Sequence, residues 1–278
     1  MQPILPNMIR FIFVFLLLLN APFSAAFAQS GAAVPENVMR LSLMPGWRME
    51  NGTHMAALRI QLKPGWKTYW RAPGDAGIPP QFGWRGSENI AAVKFYWPRP
   101  KVSYVNGMRA IVYKDEVIIP VQITPKNKNQ PVSISGQAEL GVCQEICVPV
   151  SVSFAAKLNA KNSAPDPMIR AALKKQPVSA HKAGVSSVTC AIEPISDGLR
   201  VTATIKMPST GKGEIAILEM ADQSIWISEA STKRTGSTLT ATSDLVGPSN
   251  APFILDRSKL RITVIGANKA VNIQGCTG

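Results

Sequence analysis

The sequence predicts an all-β protein of two β-sandwich domains, joined by a linker that holds one short helix. Three observations lead there. Short segments that alternate apolar and polar residues, or are rich in Val and Ile, recur at roughly ten-residue spacing. Turn clusters such as PGDAG at 73–77 and PKNKNQP at 125–131 separate them. Near residue 160 the strand pattern yields to a polar stretch with a helix signal, and then resumes. A chain of 278 residues, 46% of them hydrophobic, can bury a core as one large or two medium domains.

Residues 1–28 read as a secretory signal peptide. Arg10 is the only charge before Gln29, FIFVFLLLL at 11–19 is a short apolar core, and Ala26 and Ala28 form an A-x-A-like exit. The run falls short of the roughly 20 residues that a spanning helix needs. No later stretch is long and apolar enough either, so the mature protein is expected not to span a membrane. Export places it in an oxidising space, where disulfides persist. The formal charge of +13 is scattered, and its longest runs are pairs such as Lys174-Lys175 and Lys233-Arg234. No basic block interleaves with aromatics, so a nucleic-acid partner is not expected.

The first domain is expected over 31–160. Its strand-like segments are HMAALRIQL at 54–62, NIAAVKFYW at 89–97, EVIIPVQI at 116–123, VSISGQAELGV at 132–142 and VPVSVSFAAKL at 148–158. LMPGW at 43–47 returns as LKPGW at 62–66, and Pro-Gly suits the middle of a type II turn, so both read as turns. Trp66, Tyr69, Trp70 and Trp84 read as packing aromatics. The linker is expected over 161–182, with Asp166 as N-cap, Pro167 as first helical residue and Pro177 as the stop. The second domain, 183–278, carries LRVTATIKM, GEIAILEM, SIWISEA, TLTATSDLV, KLRITVIG and AVNIQGC.

Four cysteines allow three pairings. The domain split favours Cys143 with Cys147 and Cys190 with Cys276. By the chain-entropy argument the long loop stabilises the fold by about 4.5 kcal/mol and the short one by about 2 kcal/mol. The long bridge therefore reads as structural, and the short one as free to open and close. Gln144, Glu145 and Ile146 would form a hairpin tip whose ends bring the Cα atoms within the roughly 4.4–6.8 Å of a disulfide. Pro149 suits an edge strand, and the pair is expected at an exposed end of the sandwich. Two other readings stand beside this one: an inert staple, and a non-catalytic periplasmic binding module on the same fold that holds a protein partner or a soft metal such as Cu(I). His54 and His181 lie far off, so no tetrahedral zinc set is evident. No phosphate-cradling glycine loop, Ser-His-Asp order or paired catalytic carboxylates stands out, and no cofactor is expected.

LKPGWKTYWRAPGDAGIPPQFGW at 62–84, YWPRP at 96–100, YKDEVIIPVQI at 113–123 and GVCQEICVPV at 141–150 occur in that order. Together they resemble the periplasmic N-terminal domain of the DsbD family of disulfide reductases, and more closely its ScsB-type branch. The resemblance covers about 35–160 and, with less distinctive motifs, the second domain. It implies immunoglobulin-like sandwiches, a periplasmic location and thiol–disulfide interchange through Cys143 and Cys147, with Cys147 making the partner contact. It also implies a membrane reductase as electron donor and periplasmic disulfide-containing proteins as acceptors. The cysteine spacing is narrower here than in DsbD itself. The stretch matching that protein's shielding loop, SYVNG at 103–107, keeps one aromatic, Tyr104, as a candidate cap and has no acid. Glu145, between the cysteines, reads as an exposed loop residue. No membrane-spanning module follows the second sandwich, so the donor is expected on a separate chain.

Overall fold

The computed structural model describes residues 38–278 apart from 76, 106, 162 and 251–252; the expected signal peptide lies outside the described residues. The first sandwich comprises β1 (Met39–Arg48), β2 (His54–Leu62), β3 (Lys67–Tyr69), β4 (Gln81–Gly83), β5 (Ile90–Phe95), β6 (Lys101–Val105), β7 (Met108–Lys114), β8 (Glu116–Pro125), β9 (Val132–Cys143) and β10 (Cys147–Leu158). One sheet has the order β1-β2-β8-β5, and the other the order β10-β9-β3-β7-β6 with β4 added to β9. The period of two sets the core. Leu58 and Ile60 of β2, Ile119, Val121 and Ile123 of β8, and Leu140 and Val142 of β9 share one buried cluster.

The linker helix, α1 (Pro167–Lys174), starts as the Asp-Pro signal predicts. The Asp166 carboxylate accepts from the backbone amides of Met168 at 2.8 Å and Ile169 at 3.0 Å. The helix does not hang free. Ile169 is fully buried against Trp47, Met55 and Ala57, covering the face of β2 that points away from the sandwich core.

The second sandwich comprises β11 (Val178–Ser179), β12 (Ser187–Ile195), β13 (Gly198–Lys206), β14 (Ile215–Glu219), β15 (Trp226–Ile227), β16 (Ser231–Thr235), β17 (Thr238–Val246), β18 (Arg261–Ile265) and β19 (Ala270–Gln274). Its sheets run β11-β19-β18-β14 and β12-β13-β17-β15, with β16 paired to β17. The chain is therefore all-β with one short α-helix among the described residues.

The sandwiches share a core. Ile215, Ile265 and Ala270 belong to the same buried cluster as the first sandwich's Trp70 and Ile111. Beside it the Arg71 guanidinium grips Glu219 with two bonds of 2.8 and 2.9 Å while lying over the Trp70 ring. Arg99 donates to the carbonyls of Ala267 and Asn268.

One of the two expected Pro-Gly turns is not a turn. LKPGW is one: the Trp66 amide donates to Lys63 O at 3.0 Å, and Gly65 has φ of 83°. LMPGW instead lies within β1, as a bulge between Met44 and Trp47 opposite β2. Gly46 there has φ of 59°, and an added Cβ would sit 1.8 Å from Met55 O. The neighbouring strand leaves no room, so Gly46→Ala should cost about 2 kcal/mol or more in denaturant unfolding. A loss below about 0.5 kcal/mol would show that the bulge relaxes.

Candidate redox site at the tip of β9 and β10

β9 and β10 pair in unbroken register from Val132↔Leu158 to Cys143↔Cys147. The connection closes on itself, with the Gln144 amide donating to Ile146 O. Cys143 and Cys147 are bonded, their Cα atoms 4.2 Å apart. β10 is an edge strand, which accommodates Pro149. This is the hairpin the sequence predicts.

The expected exposure is met by only half of the pair. Residues 144–147 are exposed, with Ile146 at 76%, whereas Cys143 is wholly buried. The reason is β3, which pairs with the other side of β9 through Lys67↔Cys143 and Thr68↔Val142. The Thr68 hydroxyl fixes the crossing by donating to Gly141 O at 2.9 Å. Residues two apart share a sheet face, so Lys67 and Tyr69 lie on the face that holds Cys143 and Gly141.

Tyr69, only 2% exposed, places its hydroxyl 2.9 Å from Cys143 Sγ and 3.0 Å from Cys147 Sγ. Disulfide sulfurs carry no hydrogen, so the phenol is the donor. Burial raises the Tyr69 pKa, keeping that proton in place. Ala110, Val112 and Ile78 complete an apolar pocket around the ring and Cys143. Gly141 makes the arrangement possible. A Cβ there would come within 2.7 Å of the Ile78 Cβ and 2.8 Å of the Tyr69 ring.

Two neighbours of the pair escape sequence reasoning. Tyr69 reads there as packing, yet it touches both sulfurs across separations of 74 and 78 residues. Lys67, 9% exposed and in register with Cys143, carries no sequence signal at all. Burial lowers its pKa, and Lys114, its register partner on β7, lowers it further.

The other candidates lie apart. Tyr104 is 65% exposed on the β6–β7 hairpin in register with Arg109, and none of the described hydrogen bonds or ring contacts joins it to either sulfur. Glu145 is exposed on the tip. Cys190, on β12, is bonded to Cys276, beyond β19, with Cα atoms 5.7 Å apart. Among the described residues no group of three or more His, Cys, Asp or Glu side chains is arranged to hold a metal ion.

The family described as "Thiol:disulfide interchange protein DsbD, N-terminal" matches residues 39–159, the stretch from β1 through β10 that contains the hairpin. Residues 39–159 are a DsbD-type N-terminal domain. The DsbD-type domain thus belongs to a thiol–disulfide interchange family, and both Cys143 and Cys147 fall within it. In fold, the chain is similar to the crystal structure of the N-terminal periplasmic domain of ScsB from Proteus mirabilis. The two are 21% identical with a TM-score of 0.66, over 88% of this chain and 96% of that one. That span extends beyond the DsbD-type domain, so the likeness in fold reaches into the second sandwich. No curated protein matches the chain by sequence. Among the described residues no helix is long and apolar enough to cross a membrane.

Proposed function

We propose that this chain is a periplasmic thiol–disulfide interchange protein. Its Cys143–Cys147 pair takes reducing equivalents from a separate membrane reductase and passes them to disulfide-containing partner proteins. The observation that carries this reading is the unequal exposure of two bonded sulfurs under one buried phenol. Cys147 is open to a partner, Cys143 is shielded, and the Tyr69 hydroxyl reaches both.

In the reduced chain the Cys147 thiolate attacks one sulfur of a partner disulfide. A mixed disulfide forms, and the partner's other sulfur leaves as a thiolate and takes up a proton. The Cys143 thiolate then attacks Cys147 Sγ, re-forming the internal disulfide and expelling the partner's second thiolate. Two electrons pass to the partner, and the two protons lost by the cysteines balance those its thiolates take up. The Tyr69 hydroxyl, held protonated, donates to whichever sulfur carries the charge. Cys190–Cys276 takes no part and serves as a structural bridge.

Graded glutathione or dithiothreitol buffers, thiol trapping and peptide mass spectrometry test the assignment. Cys143 and Cys147 should become trappable under mild reduction while Cys190 and Cys276 stay joined. Simultaneous opening of both bridges would refute it.

A further inference from the structure

Lys67 has the address of a site residue. Its backbone pairs directly with Cys143, its side chain shares the sulfur's face of the sheet, and only 9% of it is exposed. Directly opposed residues on neighbouring strands have Cβ atoms about 4.5–5.5 Å apart, so a lysine amine can reach the facing sulfur. In the disulfide form the Lys67 amine takes part in none of the described side-chain hydrogen bonds or ion pairs. The side chain is largely covered, so its cation has reduced access to water and no counter-charge, an unfavourable combination, and the lowered Lys67 pKa follows the same logic. The like charge of Lys114 makes matters worse.

We propose that Lys67 is the counter-ion of the Cys143 thiolate, unpaired while the disulfide is closed and paired once it is reduced. Reduction frees two thiols, and the one that stands across from Lys67 in register is Cys143. The charged and titratable groups around Cys143 are Cys147, a thiol beside it once the bridge is reduced, Lys67 and Tyr69 on β3, Lys114 on β7, Glu145 in the tip and Glu139 along β9. Glu145 and Glu139 are exposed and screened by water, whereas Lys67 stands in register with Cys143 on a largely covered stretch of β3. Lys67 keeps its proton throughout; it transfers nothing and acts by stabilising charge.

The proposal deepens the interchange reading and draws its purpose from it. A more abundant Cys143 thiolate resolves the mixed disulfide faster, because the thiolate is the attacking species. An opposite charge at this range lowers a thiol pKa by about one unit or more, which is roughly tenfold more thiolate at a pH below that pKa.

Two titrations test it, and both read ionisation rather than exchange. In a Cys147→Ser background, Cys143 is the one free thiol, and its thiolate absorbance gives its pKa. Lys67→Met should raise that pKa by about one unit. In the unmutated chain the Lys67 Cε resonance, followed by NMR against pH, should move to a higher pKa on reduction, since coupling between two sites is reciprocal. This second measurement needs no substitution at Lys67 and stands even if the methionine variant misfolds. An unchanged Cys143 pKa in a folded Lys67→Met variant, or a Lys67 pKa indifferent to reduction, overturns the proposal. A chain that exchanges with no partner could still show both shifts, so failure here and failure of the relay are separable.

Discussion

A Cys143→Ala chain exposed to oxidised periplasmic proteins should accumulate covalent adducts through Cys147, and a Cys147→Ala chain should accumulate about tenfold fewer. The difference follows from access. Cys147 lies on the exposed tip, so its thiolate meets a partner disulfide with no rearrangement. Cys143 lies beneath the Tyr69 ring and beside β3, and is reached only if the β9–β10 tip opens. Without Cys143 the first exchange proceeds and the second has no nucleophile, so the adduct persists. Non-reducing gels followed by mass spectrometry of the linked peptides give the ratio. Equal trapping by the two variants would mean that the burial of Cys143 does not govern the order of attack.

Removing the other bridge should act on stability instead. A Cys190→Ala, Cys276→Ala chain should lose about 2–5 kcal/mol in denaturant unfolding, and a Cys143→Ala, Cys147→Ala chain about 2 kcal/mol at most. The cysteines of the long bridge are separated by 86 positions and those of the short one by 4, so their loops restrict the unfolded chain very differently. The long bridge also joins the two sheets of the second sandwich. Cys190 belongs to β12 in one sheet, and Cys276 follows β19 in the other. Backbone bonds reinforce the clamp, from the Cys190 amide to Thr277 O at 2.7 Å and from the Thr277 amide to Val188 O at 3.0 Å. Those bonds depend on the tail staying in place, so they should weaken when the sulfur link is lost. A loss no larger than that of the short bridge would remove the structural role assigned to Cys190–Cys276.

Much of this architecture is written locally. Strands with long periodic runs, such as β2, β8, β9, β10 and β17, are legible because alternation over several residues has one physical meaning. The Asp166-Pro167 start of α1 is equally local. What escapes is short or interrupted. β3 spans three residues and β4 another three, too few to show a period, and β6 ends at Val105 after five. At the site, the hairpin and its cysteines can be read from the sequence because they are adjacent in it. The burial of Cys143, the reach of Tyr69 and the placement of Lys67 all depend on β3 pairing with β9, a contact between distant segments. The Pro-Gly echo shows the converse. Two identical dipeptides adopt a bulge and a turn, because β2 lies beside the first and a reversal follows the second.

The buried seam of Trp70, Ile111, Ile215 and Ile265, tied by Arg71 and Glu219, bears on how a partner would be selected. A reactive tip on a swinging module would have to be immobilised at each encounter, and that lost freedom would subtract from affinity. Here the module arrives already immobilised. A visiting protein would meet a tip whose orientation to the second sandwich is set in advance by that seam.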